Sequence, residues 1–344
     1  METFWYGAVA LMLAVYVVLD GFDFGLGIVY PFVTKTESDR RTALASIGPV
    51  WNANEVWLIA AGGLLFFAFP KAYAAGFSGF YLALIIVLWL LMVRGLALEL
   101  RSHMDHPLWK QFWDVAFAGA SLLLAVVFGA ALGNIIRGVP LNKDGYFFVA
   151  LWTDFMTGPD PGILDWFTVL IGLTSTAILA LHGANYLAMK TEGPLREQAR
   201  RIAWLTGSVS VILIGLSLIA VPFVQPLFHL SYAAHPIGYL FPFMGVAAFA
   251  AGLELRRRNW DGGAFAATSV MILSMLASTA WGSYPNILIA TNDQANSLTI
   301  ANATAGAYGM EVGLWWFLIG STLIVVYQFI AHQAFRGKVT VDPN

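Results

Sequence analysis

The segment Gly48-Pro49-Val50-Trp51-Asn52-Ala53-Asn54-Glu55-Val56-Trp57-Leu58-Ile59 opens a long apolar stretch that continues through Phe69. Two asparagines and a glutamate stand in it among tryptophans and aliphatic residues. The preceding apolar stretch carries a second polar group, Asp20-Gly21-Phe22-Asp23-Phe24-Gly25. Carboxylates in stretches this apolar need a partner or a purpose, because ionised side chains are costly inside a membrane. These two stretches therefore decide the fold class and direct the search for a functional site.

The composition indicates a polytopic membrane protein. The 344 residues are 59% hydrophobic and 11% charged, whereas soluble domains carry roughly a quarter of charged residues. The chain has no cysteine, which excludes disulfides, thiolate metal sites and cysteine nucleophiles. The N-terminal apolar run follows no basic segment and is too long for a signal peptide, so we expect it to form the first membrane span.

Nine membrane spans are predicted in one integral membrane domain, residues 1–344, with an all-α fold. The hydrocarbon core of a bilayer is about 30 Å thick and needs roughly 20 apolar residues per helix. The predicted spans are residues 4–33, 47–69, 75–98, 112–136, 163–189, 202–223, 236–255, 263–281 and 312–335. The first is long enough to tilt, or to break near Gly21, Gly25 and Gly27.

Basic residues in the connections predict the orientation of the chain. One side collects Lys35, Arg40, Arg41, Arg101, Lys110, Lys190, Arg196, Arg200, Arg201, Arg256, Arg257, Arg258, Arg336 and Lys338. The other side has only Lys71, Arg137 and Lys143. Because cytoplasmic loops are enriched in Lys and Arg, we expect the N-terminus outside and the C-terminus in the cytoplasm.

Four polar residues within the first two spans form a candidate proton pathway. Asp20 and Asp23 are three residues apart and share a helix face; they either meet water near the cytoplasmic end of the first span or bind a proton or cation. Asn52 lies three residues before Glu55 on roughly the same face. Such an amide–carboxylate row can relay protons, or it can serve only to fix helix packing.

Arg94 lies within the third span and needs an anionic partner, because an unpaired buried charge is strongly destabilising. Glu99 is in the same span, although five residues are not an ideal helical spacing. Glu55 or Asp23 on a neighbouring helix are the other candidates. We assign Arg94 and Glu99 to buried charge pairing that sets the order of the helices.

No residue pattern indicates a haem or metal site in this chain. His182 is the only histidine well inside a span, whereas b-type haems in membranes usually take two axial ligands from facing helices. We therefore expect His182 to be a packed, hydrogen-bonded residue, and we predict no metal ligands. The chain also has no HExxH, P-loop or CxxCH motif.

Taken together, these residues resemble subunit II of the cytochrome bd-type quinol oxidases. The resemblance covers essentially the whole chain. It rests on residues 20–27, 48–59, 73–81, 183–187 and 297–300, on Arg94 with Glu99 and Arg101, and on Tyr284-Pro285. It implies a fold of two four-helix bundles plus one helix, in a bacterial or archaeal-type cytoplasmic membrane.

The resemblance also implies a function within a complex that oxidises quinol and reduces O2 to water. The two b-type haems, the d-type haem and the quinol site would belong to the haem-bearing subunit I, and a small single-helix subunit can accompany the pair. Subunit II would support subunit I, hold a structural quinone in some members, and contribute proton and O2 routes. No nucleic-acid partner is expected.

One position departs from the family pattern. Family members usually have Asp after the tryptophan that corresponds to Trp51, and this chain has Asn52, whose amide cannot release a proton. Either Glu55, Asp20 or Asp23 takes over this role, or protons reach the haems by another path, or the chain belongs to a divergent branch with altered chemistry. Our hypothesis is that Glu55 and Asp23 form a substitute relay. By position, Trp57 matches a residue of the O2 route, and Trp51 lies beside the proton path; either can contact O2 or a quinone.

Two other functions stay open on the sequence. Carboxylates within membrane spans and a broken first helix are typical of ion-coupled secondary transporters, although the odd number of spans argues against one. The chain can also be a purely structural membrane subunit, in which every polar residue serves helix packing.

Overall fold

The computed structural model describes residues 1–339 and is almost entirely helical. Within these residues the α-helices are α1 (Glu2–Val33), α2 (Glu37–Ile47), α3 (Trp51–Ala68), α4 (Pro70–Gly79), α5 (Tyr81–Leu100), α6 (Pro107–Arg137), α7 (Trp166–Lys190), α8 (Gly193–Val224), α9 (Leu227–Ala234), α10 (Leu240–Arg257), α11 (Asp261–Ser283) and α12 (Ala307–Ala334). Short 3-10 turns cover Pro236–Tyr239 and Gln294–Asn296. Two short strands, β1 (Asn286–Leu288) and β2 (Leu298–Thr299), pair antiparallel.

The helices agree with the predicted number of membrane spans. Among the described residues, eight helices are each long and apolar enough to cross a membrane. Helices α2 and α3 meet at an angle of 42° and make a ninth span if they are counted as one. The fold is thus that of a polytopic helical membrane protein, and its orientation in the membrane stays a prediction.

Several helix ends differ from the predicted span ends. The predicted span 75–98 consists of two helices, α4 and α5, which are separated at Phe80. Helix α8 begins at Gly193, well before predicted residue 202, because its polar first turns remain helical outside the apolar segment. At α7 the side chain of Asp165 accepts hydrogen bonds from the backbone N–H groups of Phe167 and Thr168, which fixes the helix start.

Helix α1 runs without a break through Gly21, Gly25 and Gly27, so the predicted break is absent. The glycines instead allow helices to touch. A Cβ atom on Gly25 would overlap the carbonyl oxygen of Leu179 in α7, and one on Gly183 would overlap the backbone of Gly25. Small residues at such crossings let helix backbones approach closely. The unbroken α1 also removes the broken helix that favoured a secondary transporter.

Helix α12 lies at the edge of the molecule. Trp315 and Trp316, in its first half, are each 70% exposed. The helix meets α3 at Gly313, which the ring of Phe67 covers, and again at Gln328, which is 9% exposed. Most of its surface is therefore free to contact lipid or another protein.

Candidate functional site

A buried ion-pair cluster joins α1, α3 and α5. Arg94 is completely buried, and its Nη1 donates a 2.7 Å hydrogen bond to Oδ1 of Asp20. Its Nη2 donates a 2.5 Å bond to Oε1 of Glu55. The ring of Phe24 lies 4.5 Å from the guanidinium carbon on a third side. One arginine thus holds carboxylates from two helices, and the three helices are fixed around it.

Asp23 lies one helical turn beyond Asp20 and has no cationic partner among the described residues. It is fully buried, and its Oδ2 accepts a 2.9 Å hydrogen bond from Nδ2 of Asn54. The second oxygens of Asp20 and Asp23 accept no hydrogen bond, and the buried Tyr16 hydroxyl also has no partner. The cluster therefore holds three carboxyl groups, counting Glu55, and a single guanidinium, which of these three contacts only Asp20 and Glu55.

A row of amides leads from Asp23 towards α12. Oδ1 of Asn54 accepts a 2.8 Å hydrogen bond from Nε2 of Gln328. Oε1 of Gln328 accepts a 3.3 Å bond from the indole N–H of Trp57, and its Nε2 lies 3.2 Å from Nδ1 of His332. The sequence analysis did not assign Asn54 or Gln328 to the site. The sequence feature that could have identified Gln328 is its position as a lone amide in an otherwise apolar helix segment.

Two residues of the predicted site lie outside the cluster. Asn52 is exposed, and its side chain makes no hydrogen bond within the described residues. Glu99 is also exposed, and the structure does not pair it with Arg94. The assignment of Glu99 to buried charge pairing is wrong, since five residues place its side chain about 140° from that of Arg94 around the helix. Of the candidate partners on neighbouring helices, Glu55 pairs with Arg94. Glu55, in contrast, is 24% exposed at its side chain and connects the cluster with the surface.

The two predicted tryptophans flank the ion pairs. Trp57 is 7% exposed and packs in an apolar cluster with Phe24 and Val87. Trp51 is half-buried, and its ring lies against Gly95, next to Arg94 in α5. Both rings are therefore close to the charged residues, one within the core and one nearer the surface.

His182 is packed and hydrogen-bonded. Its Nδ1 lies 2.8 Å from Oγ1 of Thr268 and its Nε2 lies 3.0 Å from the carbonyl oxygen of Val18, so both ring nitrogens have protein partners. The ring stacks on Phe265 with centroids 4.7 Å apart. Within residues 1–339 there is no group of three or more His, Asp or Glu side chains that could hold a metal ion.

A second ion-pair network lies at the helix ends on the predicted cytoplasmic side. Nε of Arg101 donates a 2.5 Å hydrogen bond to Asp114, and its Nη2 donates a 2.9 Å bond to Glu37. The hydroxyl of Tyr30 also donates to Asp114, at 2.5 Å. This network fastens α1, α2 and α6 to the end of α5, and the sequence analysis did not identify it.

The comparisons with known proteins agree along the whole chain. A family model described as cytochrome bd terminal oxidase subunit II matches residues 1–335. The cytochrome bd ubiquinol oxidase subunit 2 of Bacillus subtilis (strain 168) is 30% identical across 99% of this chain and 99% of its own. The cytochrome bd-I ubiquinol oxidase subunit 2 of Escherichia coli (strain K12) is 28% identical across 98% of this chain and 95% of its own.

A solved structure shares the fold. A chain of the bd oxidase from Geobacillus thermodenitrificans superposes with a TM-score of 0.75 at 18% identity. The match covers 97% of this chain and 98% of that one. The helical arrangement described above is therefore the arrangement of a bd oxidase chain.

Proposed function

Because the chain belongs to the cytochrome bd terminal oxidase subunit II family, we propose that it is the non-haem-ligating subunit of a respiratory oxidase that oxidises quinol and reduces O2 to water. Its partner in the bacterial cytoplasmic membrane is the haem-bearing subunit I, with two b-type haems, one d-type haem and the quinol site. Those haems supply the electron transfer to O2. The residues of this chain support subunit I and guide protons and O2.

The charge imbalance of the buried cluster carries the proton-transfer part of this proposal, whereas the oxidase function rests on the family match. The one positive charge of Arg94 balances only one of the carboxyl groups of Asp20, Glu55 and Asp23. Among the described residues, the Asp23 carboxyl group accepts a hydrogen bond only from the amide of Asn54. An unpaired carboxylate in an apolar interior is costly, so a bound proton is the less costly state for Asp23. A carboxyl group that holds a proton beside ionised carboxylates is suited to proton transfer.

The partial exposure of Glu55 supports an entry point for the proposed relay. Glu55 is the exposed member and stands at the start of α3, near the predicted cytoplasmic side. Asp20 lies on the other side of Arg94, and Asp23 lies one turn further along α1, nearer the predicted cytoplasmic end of that helix. Arg94 itself does not titrate, and its part is to stabilise the carboxylates that receive and release the proton. Asn52, exposed on the helix surface, does not take part.

The two tryptophans extend the proposal to O2. Trp57 stands in the apolar cluster that reaches from α1 to α3 and α5, with its indole nitrogen tied to Gln328. Apolar surroundings of this kind suit a small apolar molecule better than water. We assign Trp57 to the O2 route and Trp51, which is nearer the surface, to contact with a quinone.

The proposal is tested on the purified complex with its haem-bearing partner. We expect Glu55→Gln and Asp23→Asn to reduce quinol-driven O2 consumption several-fold, because each amide breaks the relay. The control is Asp105→Asn, since the Asp105 side chain is 96% exposed and pairs only with Lys110. Exposed pairs of this kind contribute little, so turnover should stay at the wild-type level.

A structural role is separated from proton transfer by two further readouts. Relay variants should keep the haem absorbance and the unfolding temperature of the wild type while turnover and proton uptake into liposomes decrease. Wild-type turnover in both Glu55→Gln and Asp23→Asn complexes would refute the relay. Loss of turnover only in proportion to lost haem would leave these residues with a packing role.

A further inference from the structure

A cavity of about 320 Å³ lies between α7, α8 and the turn from α10 to α11. It is formed near the C-terminal ends of α7 and α10 and the N-terminal turns of α8, which all lie on the predicted cytoplasmic side. It is separate from the ion-pair cluster of Arg94. Since a water molecule takes up roughly 30 Å³, the cavity has room for a group of several heavy atoms.

Arg256 lines this cavity with an unpartnered guanidinium. The residue is 7% exposed, and none of its three guanidinium nitrogens has a hydrogen-bond partner. Its guanidinium carbon lies 5.2 Å from the ring centroid of Trp204, and a Cβ atom on Gly207 would come within 3.1 Å of Nη2. The side chain is therefore held in place by packing while its donors stay unused, which is costly for a buried charge.

The acidic residues of the cavity are already engaged by other arginines. Asp261 accepts hydrogen bonds from Arg196 and Arg200 at 2.8 Å each. Glu197 accepts one from Arg200 at 3.2 Å and is exposed. No carboxylate of residues 1–339 therefore balances Arg256.

Two further groups in the cavity wall, one amide and one guanidinium, have no anionic partner among the described residues. The amide nitrogen of Asn185 is buried without a partner, and this residue is 2% exposed. Arg201 lines the cavity and forms no ion pair among the described residues. The wall thus combines a buried guanidinium fork, a buried amide donor and a surface cation. This set of donors fits an anion with several acceptor oxygens.

We propose that this cavity binds a phosphate group, either the headgroup phosphate of an anionic lipid or free phosphate. Guanidinium groups bind phosphate through two parallel N–H···O bonds, and Arg256 has its fork available. The cavity lies where the helices leave the predicted cytoplasmic leaflet, at the level of lipid headgroups. A phosphate in it would balance Arg256 and tie α7, α8 and α10 together.

The test compares Arg256→Gln with Arg257→Gln in the complete oxidase complex. Arg257 is the matched control because it carries the same charge on the next residue, with its side chain 71% exposed. Each complex is placed in phosphatidylcholine nanodiscs with or without phosphatidylglycerol, and lipids retained after detergent extraction are counted by native mass spectrometry. Unfolding temperatures are measured in parallel with and without inorganic phosphate.

We expect wild type and Arg257→Gln to retain one phosphatidylglycerol more than Arg256→Gln, with apparent affinity reduced about tenfold in that variant. If only inorganic phosphate raises the unfolding temperature, and only when Arg256 is present, the ligand is free phosphate. Asn185→Ala serves as a second variant should Arg256→Gln fail to assemble, and we expect it to weaken retention. Equal lipid retention and equal phosphate response in wild type and in the cavity variants would overturn the proposal.

Discussion

Arg94 is the residue on which the ion-pair cluster depends. Arg94→Gln would leave Asp20 and Glu55 facing each other without a cation, and breaking a buried pair in this way costs about 3–5 kcal/mol. We expect a clearly lower unfolding temperature and a lower yield of assembled complex. Adding Asp20→Asn to Arg94→Gln should recover part of the loss, because it removes one uncompensated carboxylate. A single variant as stable as wild type would show that the pair does not hold the helices.

Asn52 provides a second test at the level of single residues. It is exposed one turn before Glu55 on α3, so Asn52→Asp would place a carboxylate at the surface end of the proposed relay. We expect this variant alone to leave O2 consumption near the wild-type rate. In a Glu55→Gln background, it should restore part of the lost turnover. No recovery in the double variant would mean that protons do not pass along this helix.

The residues of the cluster were predictable from the sequence to different degrees. Asp20, Asp23 and Arg94 stood out because each is a charge in an apolar run. The sequence did not show whether Asn52 or Asn54 belongs to the cluster, since both are amides in the same turn. Side chains two positions apart in a helix point about 200° apart around its axis. Only the rotation of α3 relative to α1 therefore decides which amide meets Asp23.

At the scale of elements, the crossing of α1 and α7 brings two helix backbones into direct contact. Gly25→Ala would push a methyl group into the backbone of α7 at Leu179, and no side-chain rotation can relieve a backbone clash. We expect little or no assembled complex by size-exclusion chromatography. Gly7→Ala is the control in the same helix, because a Cβ atom there has nothing within 4 Å. Normal assembly of Gly25→Ala would contradict the close crossing.

The apolar runs of the sequence predicted the presence of the helices better than the residues at which they begin and end. Hydropathy located the spans because a membrane helix must be apolar over its length. It did not locate the bend between α2 and α3, the break at Phe80 or the pairing of β1 with β2, since these depend on local turns and on tertiary contacts. The polar first turns of α8 were missed for the same reason: they lie beyond the apolar segment.

The orientation of the whole molecule is open to a direct test, because the chain contains no cysteine. Lys143→Cys and Arg257→Cys place single thiols on exposed residues of opposite predicted sides. We expect a membrane-impermeant maleimide to label Lys143→Cys in intact spheroplasts and Arg257→Cys only after permeabilisation. The reverse pattern would invert the orientation, and with it the side from which protons enter the proposed relay.

The position of the ion-pair cluster has an electrical consequence. Arg94 lies six residues before the end of α5, which is about 9 Å along the helix axis, so a proton that reaches the cluster from the cytoplasm has crossed part of the membrane potential. Crossing all of it costs about 2.3 kcal/mol per 100 mV. In the predicted orientation, the voltage opposes this movement of a proton from the cytoplasm into the membrane, because the cytoplasmic side is negative. If protons enter by the proposed relay, we expect the proton occupancy of its carboxyl groups to decrease as the membrane becomes energised, and turnover of the proposed oxidase complex to slow as the voltage rises.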